Sequence, residues 1–202
     1  MGEETYEVDE IVEELVEKGK GVKELLREMK NVSELMVDLA YSAVLFNNDE
    51  LAEEVKELEE EMNKLRYQIE IRTMVAARDP EDAGKLEGIL RISAAAENIS
   101  NAAENMADIV LRDIGLHPVV RDALKEADEI VDRVIVKKSS KLAEKTVEDL
   151  RKNAKYGMDV ISIKRGKNWI FKVKDSEEIK GGDTLIVSGF KENVRALQKT
   201  KE

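Results

Sequence analysis

The sequence predicts an α+β protein with two domains, an antiparallel helical bundle followed by a small α/β domain. Along residues 22–110, apolar residues recur at alternating spacings of three and four, which is typical of the buried face of a helix. After about residue 133 the period changes, and short β-branched runs alternate with turn signals. The 202 residues, 42% of them hydrophobic, are enough to give each domain a core. We therefore assign residues 1–133 to the bundle and residues 134–202 to the second domain.

Three long helices account for most of the bundle. The first is predicted from Val22 to about Asn47, after which "NNDE" provides a turn and an N-cap for the second. The third begins in "RDPEDAG", where Asp79 can cap the free backbone amides and Pro80 fits the first helical turn. The three apolar stripes, which we expect to form the core, consist of Val22, Leu25, Met29, Val32, Met36, Leu39, Ala43 and Phe46; Leu51, Val55, Leu58, Met62, Leu65 and Ile69; and Ile89, Ile92, Ala96, Ile99, Ala103, Met106 and Val110.

Two shorter helices are predicted at the ends of the bundle. A weaker amphipathic pattern at Val8–Val16 indicates a lead-in helix before the break at Gly19 and Gly21. Another pattern indicates a helix that links the bundle to the second domain. Its apolar positions are Val120, Leu124, Ala127 and Val131.

The second domain is predicted to contain four strands and two helices. The strands are "VIV" (134–136), "DVISI" (159–163), "NWIFKV" (168–173) and "TLIVSG" (184–189). The helical segments are "KTVEDLRKNA" after the first strand and "FKENVRALQK" after the last. Asp183 follows two glycines, which suits a tight turn whose carboxylate accepts backbone amides.

Composition narrows the classes of function. A net charge of −11 argues against nucleic acid as the partner, and the absence of cysteine excludes disulfides and thiolate chemistry. The single histidine, His117, has no second imidazole to work with, and no nucleophile elbow, Walker loop or His-Glu metal motif is present. We therefore expect a protein that is not an enzyme.

The same composition bears on location. No segment approaches the roughly 18 uncharged apolar residues that a membrane span needs, and the acidic "MGEETYEVDE" does not resemble a secretory signal. We expect a cytoplasmic protein. Charged residues make up 38% of the chain and are mostly Glu and Lys, a balance typical of proteins from hot environments.

A specific residue pattern runs through "SSKLAEKTVEDL", "YGMDVISIKRG" and "GGDTLIVSG". Its members are Ser140, Lys145, Thr146, Leu150, Gly157, Val160, Ile161, Ile163, Arg165, Gly182, Asp183, Leu185, Ile186, Val187 and Gly189. With this pattern, residues 134–200 resemble the TrkA C-terminal regulatory domain, also called the RCK C-terminal domain, the ligand-sensing lobe of cytoplasmic regulators of potassium conductance. Glu144 and Val173 depart from the family, which usually has glycine and proline there.

The resemblance also implies a ligand site, because TrkA-type domains in some potassium regulators bind a cyclic dinucleotide at their dimer interface. It would lie between two copies of "DVISI" and the following turn. Val160, Ile161, Ile170 and Val173 would offer apolar walls, and Arg165 would anchor an anion, since a guanidinium can form paired hydrogen bonds with phosphate.

Two pairs of polar residues in the bundle lie one helical turn apart. They are Glu59 with Asn63 in "EEEMN", and Glu97 with Asn101 in "ENISN". With them, residues 20–113 resemble a PhoU unit, in which Glu or Asp is followed four residues later by Asp on each of two helices that hold metal ions. The resemblance implies divalent metal at these four residues, but each amide removes one negative charge.

The alternative is a solvated acidic face. Glu97, Asn101, Glu104 and Asp108 share one side of their helix, opposite the predicted stripe. On the preceding helix, Arg66 can neutralise the glutamates that a metal would need. Both interpretations remain open at this point.

PhoU proteins carry two such units in one chain, whereas this sequence has one, which implies a homodimer or a higher symmetric oligomer. The combined prediction is a cytoplasmic regulatory or accessory protein for monovalent cation transport, with potassium as the expected ion. The second domain would sense a ligand, and the bundle would mediate dimerisation or contact a membrane transporter or channel. Two alternatives remain, a PhoU-like metal-binding regulator of phosphate signalling and an oligomerisation scaffold without a ligand.

Overall fold

A computed structural model describes residues 19–115, 117, 119, 129–152, 158–166, 168–171, 173–190 and 192–194. The chain divides into two compact units. Among the described residues, the first unit comprises those up to Ala40 together with Ala52–Asp108, and the second comprises Tyr41–Leu51 and those after Asp108. The predicted lead-in helix, residues 8–16, lies outside the described residues.

Three long helices form the bundle, as predicted: α1 (Val22–Phe46), α2 (Asp49–Ala76) and α3 (Pro80–Leu111). The side chain of Asn48 caps α2 by accepting the amides of Glu50 and Leu51 at 3.0 and 3.2 Å. Asp79 caps α3, because its Oδ1 accepts the amide of Asp82 at 2.9 Å. No helix among the described residues is long and apolar enough to cross a membrane.

The stripes predicted for the first two helices form the core of the bundle, and only the terminal Val22 and Phe46 are half-buried. Twelve stripe residues are each at most 1% exposed: Leu25, Met29, Val32, Met36, Leu39, Ala43, Leu51, Val55, Leu58, Met62, Leu65 and Ile69. Full burial of large side chains such as these stabilises the folded state by about 1.5–3 kcal/mol each before the entropy of ordering them is subtracted.

The stripe predicted for α3 is partly wrong. Ile92 and Ile99 are 60% and 48% exposed, while the buried residues of this helix are Ser93, Ser100, Ala103, Ala107 and Val110. Serine does not register in an apolar periodicity, but its hydroxyl can be satisfied locally. Ser100 donates to the Ala96 carbonyl at 3.1 Å, and Ser93 donates to Met29 Sδ at 3.4 Å. A face made mainly of small residues therefore packs against the neighbouring helices, and Ile92 and Ile99 lie on an exposed face.

The second domain is a four-stranded antiparallel sheet with a short helix. Its elements are β1 (Glu129–Ile135), α4 (Val147–Lys152), β2 (Met158–Arg165), β3 (Asn168–Phe171) and β4 (Thr184–Phe190). The order of strands across the sheet is β1-β4-β2-β3. Residues 192–194 are helical, in the segment predicted to be a helix after the last strand.

The first strand begins earlier than predicted, at Glu129 rather than at residue 134. Val131, which was predicted to belong to the linking helix, pairs with Ser188 of β4, so that part of the prediction is wrong. Pairing with β4 along the whole strand outweighs the weak helical pattern. The other apolar positions of the linking helix lie outside the described residues, and the domain limits at 133 and 134 stay a prediction.

One face of the sheet carries the core of this domain. Val134, Val160, Ile163, Leu185 and Val187 are each at most 2% exposed and belong to a single buried cluster. Val147 and Leu150 of α4 and Ile179 complete this cluster. The helix is fixed by a reciprocal cap: the amide and hydroxyl of Thr146 donate to Asp149, and the Asp149 amide donates back to the hydroxyl of Thr146. The hydrogen bond from the Thr146 backbone amide lowers the pKa of Asp149 below its usual value.

Candidate functional site

Glu59 and Asn63 interact on α2 in a way that competes with metal binding. The Asn63 amide nitrogen donates to Oε1 of Glu59 at 2.5 Å, so it serves as a donor to the carboxylate instead of adding a negative ligand. Burial of the half-buried Glu59, together with the charge of Glu104, raises its pKa above the usual value, although Asn63 and Lys56 oppose the shift. The Glu59 carboxylate therefore already has a hydrogen-bond donor in Asn63 and a nearby positive charge in Lys56.

Arg66 pairs with Glu97 across two helices. Its Nε lies 3.0 Å from Oε1 of Glu97 on α3, and its Nη1 donates to Glu70 one turn along α2 at 2.8 Å. Burial lowers the pKa of Arg66, but the charges of Glu70 and Glu97 outweigh this effect and raise it. The guanidinium also lies 4.6 Å from the centre of the Tyr67 ring. The prediction that Arg66 neutralises the glutamates that a metal would need is confirmed for Glu97, whereas Glu59 is bonded to Asn63.

Lys56 makes a second cross-helix ion pair. Its Nζ contacts Glu104 and lies 3.6 Å from Oδ1 of Asp108, both on α3. The hydrogen bond to Glu104 raises the pKa of Lys56.

These contacts correct the predicted exposure of the acidic side of α3. The side chains of Glu97, Glu104 and Asp108 are only 23%, 26% and 22% exposed and face cations of α2. The acidic side lies next to the buried residues Ser93, Ser100 and Ala107, so it borders α2 instead of facing solvent. Asn101 is half-buried on the same helix.

Within the described part of the chain, no group of three or more His, Asp or Glu side chains is placed to hold a metal ion. The structure brings Glu59 to Asn63 and Glu97 to Arg66. Lysine and arginine thus provide positive charge where the PhoU resemblance implies divalent ions.

Replacing both Glu59 and Glu97 with Gln is expected to leave the melting temperature within about 2 °C. Ionising Glu59 costs more free energy in the folded than in the unfolded protein, because its pKa is raised on folding, and Glu59→Gln removes this cost. The destabilisation is complete above the folded pKa of Glu59. It decreases as pH falls through that pKa and is gone below the unfolded pKa. Glu97→Gln has the opposite sign, because it weakens the ion pair with Arg66.

The control is the pair Glu34→Gln with Glu87→Gln, which removes two exposed carboxylates from the same bundle. Thermal unfolding and metal analysis of the purified protein provide the readouts. A fall of about 10 °C in the double variant alone would contradict the prediction, because the effects of the two substitutions have opposite signs. Stoichiometric metal in the native protein would also contradict it.

In the second domain, the residues predicted to form a ligand pocket lie mainly in the core. Val160 and Val173 are 2% and 7% exposed members of the buried cluster, and Ile170 packs against it. Ile161 is different. The register between β2 and β4 shifts between Val160 and Ser162, so Ile161 is the extra residue of a β-bulge and is half-buried. Whether these side chains contact a ligand stays a prediction.

Arg165 is held by the turn that precedes β4. Its Nε and Nη2 each lie 2.9 Å from a different carboxylate oxygen of Asp183, and its Nη2 also donates to the Glu178 carbonyl at 2.8 Å. Its Nη1 donates to Glu177 at 3.1 Å. The hydrogen bonds to Asp183 raise the pKa of Arg165 despite its partial burial. Arg165 thus has a structural partner that the sequence-based prediction did not include.

Asp183 is the centre of this turn. It is 1% exposed, and its Oδ2 also accepts the backbone amide of Lys180 at 2.8 Å. The prediction that its carboxylate fixes a turn by accepting a backbone amide is confirmed.

The other face of the β2–β3 hairpin contains polar groups from β2 and aromatic groups from β3 that the sequence-based prediction missed. Ser162 is completely buried, and among the described residues its hydroxyl is one of the buried polar groups without a hydrogen-bond partner. Its register partner Phe171 stacks with Trp169, with ring centres 6.1 Å apart, and Lys164 Nζ lies 5.5 Å from the Trp169 ring centre. Strict alternation of side chains along β2 could have identified this face, but the bulge at Ile161 shifts the alternation by one residue, so that Val160 and Ile163 lie on the same face.

Comparison with known proteins agrees with both halves of this fold. Residues 26–110 match the PhoU domain, and residues 132–201 match the TrkA-C domain. The two matched segments follow one another in the chain, the PhoU-like one first and the TrkA-C-like one second. A Synechocystis protein described as an uncharacterized transporter is 34% identical over 79 residues, which are 39% of this chain and only 13% of that protein.

Solved structures with local similarity include three proteins. The RCK C domain of the potassium transport protein KtrA, in complex with cyclic diadenosine monophosphate, is 31% identical and covers 41% of this chain and 95% of its own, with a TM-score of 0.32. The GsuK RCK domain is 17% identical (57% and 25% covered, TM-score 0.32). Streptococcal BusR (S. agalactiae) with its busAB-promotor DNA is 19% identical (68% and 63% covered, TM-score 0.32).

Proposed function

We propose that this protein is a regulatory or accessory component of potassium transport whose TrkA-C domain senses a small ligand. The observation that carries the proposal is the TrkA-C match over residues 132–201, together with the transporter that is 34% identical over 79 residues. TrkA-C and PhoU domains are regulatory and not catalytic, so we propose no enzymatic activity. The partner would be a membrane transporter or channel, which this chain would contact from the cytoplasm.

The ligand that we propose is a cyclic dinucleotide, bound between two copies of β2 and the following turn. Ile161 is the half-buried apolar residue that the bulge leaves outside the regular ladder. It would contact a base, with Val160, Ile170 and Val173 supporting it from the core. An anionic ligand also needs a local cation on a chain with a net charge of −11.

Arg165 can provide that cation without giving up its bond to Asp183. A guanidinium has five N–H donors, and Asp183 takes the Nε edge of this one. Nη1 contacts Glu177, whose side chain is 29% exposed. A phosphate oxygen would replace the Glu177 carboxylate while the buried carboxylate of Asp183 keeps the guanidinium in place.

Calorimetry with cyclic di-adenosine monophosphate tests this site. We expect one ligand per two chains, binding about tenfold weaker in Arg165→Lys, because an ammonium lacks the planar fork that would hold Asp183 on one edge and leave Nη1 for a phosphate oxygen. Glu177→Gln is expected to bind at least as tightly as the native protein, since it removes the competing carboxylate. Arg165→Ala is a poor test because it leaves the buried Asp183 without its cation.

Thermal unfolding of each variant separates a lost contact from a lost fold. No heat with the native protein would remove the ligand from the proposal, and unchanged affinity in folded Arg165→Lys would remove the anchor.

The match of residues 26–110 to the PhoU domain favours a second candidate, a PhoU-like regulator of phosphate signalling. A thermal-shift screen with nucleotides and divalent metals distinguishes the two. Stabilisation by a metal alone would favour the second candidate, and no stabilisation by any ligand would favour a scaffold.

A further inference from the structure

The outer face of α3 exposes apolar residues at helical spacing. Ile92 and Ile99 are 60% and 48% exposed, and Gly88, Ala95 and Ala102 are exposed between and beside them. Their spacings are four, three, four and three, which places all five on one stripe of the helix. We call these five residues the α3 stripe. Because the buried side of the helix is formed by Ser93, Ser100 and Ala107, the described helices α1 and α2 do not cover the stripe.

This face also has little charge. From Gly88 to Asn105, the exposed residues of α3 include one ionisable side chain, Arg91, which is paired with Glu87. Elsewhere the chain is highly charged, with 38% charged residues and a net charge of −11. Glu97 and Glu104, the acids of this stretch, pair with cations of α2. Two copies of an acidic chain repel each other less at such a face than at an average part of their surface.

The α3 stripe reads nearly the same in both directions. Its order is small, isoleucine, small, isoleucine, small, with Ala95 at the centre. A twofold axis near Ala95 would place Ile92 opposite Ile99 of a second copy and Gly88 opposite Ala102. A twofold interface uses the same patch on both subunits, so the patch must be complementary to itself.

The small residues make room for the isoleucines. A Cβ placed on Gly88 would meet no atom within 4 Å, so the space beside it is open to a partner. Small residues between large ones let two helices approach closely and allow the ridge of one to enter the groove of the other.

We propose that two copies of this chain associate through antiparallel α3 helices, about a twofold axis near Ala95. This inference deepens the dimerisation role of the bundle within the proposed function, but it depends on the α3 stripe and not on a ligand or a transporter.

Disulfide trapping tests the axis, because the natural chain contains no cysteine. Ala95→Cys is expected to give a covalent dimer on mild oxidation, since the two sulfur atoms would lie across the axis at a distance that a disulfide can span. Ala94→Cys is the matched control, exposed on the same helix but turned away from the stripe. Equal trapping of both variants, or trapping of Ala94→Cys alone, would overturn the proposal.

Light scattering tests the contact without a crosslink. Without a cyclic dinucleotide in solution, the native protein is expected to have twice the chain mass of 22.8 kDa, and Ile92→Glu with Ile99→Glu to be monomeric with unchanged helical circular dichroism. Met74→Glu with Val75→Glu changes two apolar residues that are 66% and 80% exposed at the end of α2, and it should remain dimeric.

A native monomer would overturn the proposal. So would a dimer that survives Ile92→Glu with Ile99→Glu, which would place the contact elsewhere and leave the ligand proposal intact. If removal of residues 1–18 converts a monomer into a dimer, that segment is the occupant of the stripe and the proposal fails. Loss of cyclic dinucleotide binding alone would remove the ligand proposal without affecting the α3 contact.

Discussion

Asp183→Asn is expected to destabilise the second domain by about 3 kcal/mol, the lower end of the cost of breaking a buried ion pair. The carboxylate is 1% exposed and bonds to Arg165 through both oxygens and to the Lys180 amide. Asparagine keeps the shape but removes the charge and directs an NH₂ group at one of its donors. Arg165 is 29% exposed, so water can partly compensate the unpaired guanidinium.

Trp169 is the single tryptophan of the chain and lies on β3, so its fluorescence reports the unfolding of this domain in urea. The control is Asp159→Asn, which removes an exposed carboxylate paired with Arg151 and should change stability by less than about 1 kcal/mol. Equal effects of the two substitutions would show that burial of the Asp183 pair contributes nothing.

The bundle was largely predictable because α1 and α2 each have a single apolar stripe and clear capping residues. On those helices the side chains at alternating spacings of three and four are buried, as the core residues Leu39 and Leu58 illustrate, and neighbours outside the stripe such as Leu35 and Ala52 are buried with them. Asn48 and Asp79 fixed the helix starts through their side chains, which is a local interaction that a sequence motif can represent.

The third helix has apolar residues on more than one side, and periodicity alone does not tell which side is buried. The buried side of α3 is the one that carries the small residues Ser93, Ser100 and Ala107, which a search for large apolar residues does not detect. The isoleucines Ile92 and Ile99 were therefore assigned to the wrong face, and the exposure of the acidic side of α3 was wrong for the same reason.

The role of Arg165 could not be derived from sequence spacing. Its partner Asp183 follows 18 residues later, and the two meet because Lys164 pairs with Thr184 in the register of β2 and β4. That register depends on the bulge at Ile161, which no local signal in "DVISI" indicates. Asp183 alone was predictable as a turn residue, since its bond to the Lys180 amide spans only three positions.

Gly181→Ala is expected to destabilise the second domain by about 2–3 kcal/mol, the cost typical of forcing extra volume into a packed site. A Cβ at Gly181 would lie 2.7 Å from the backbone Cα of Lys138, so the main chain would have to move. Two hydrogen bonds resist this movement: the Gly182 amide donates to the Val136 carbonyl at 2.7 Å, and the Val136 amide donates to the Asp183 carbonyl at 2.8 Å. Relaxing the clash therefore weakens the junction between β1 and β4.

Gly182→Ala separates this clash from the general cost of replacing a turn glycine. Its φ of 99° is unfavourable for alanine, but a Cβ there would meet no atom within 4 Å. We expect a loss of about 1 kcal/mol from backbone strain alone. Urea unfolding followed by Trp169 fluorescence should thus rank Gly181→Ala as the more damaging change. The reverse order would mean that backbone strain at Gly182, and not the close approach of Lys138, determines why this turn contains two glycines.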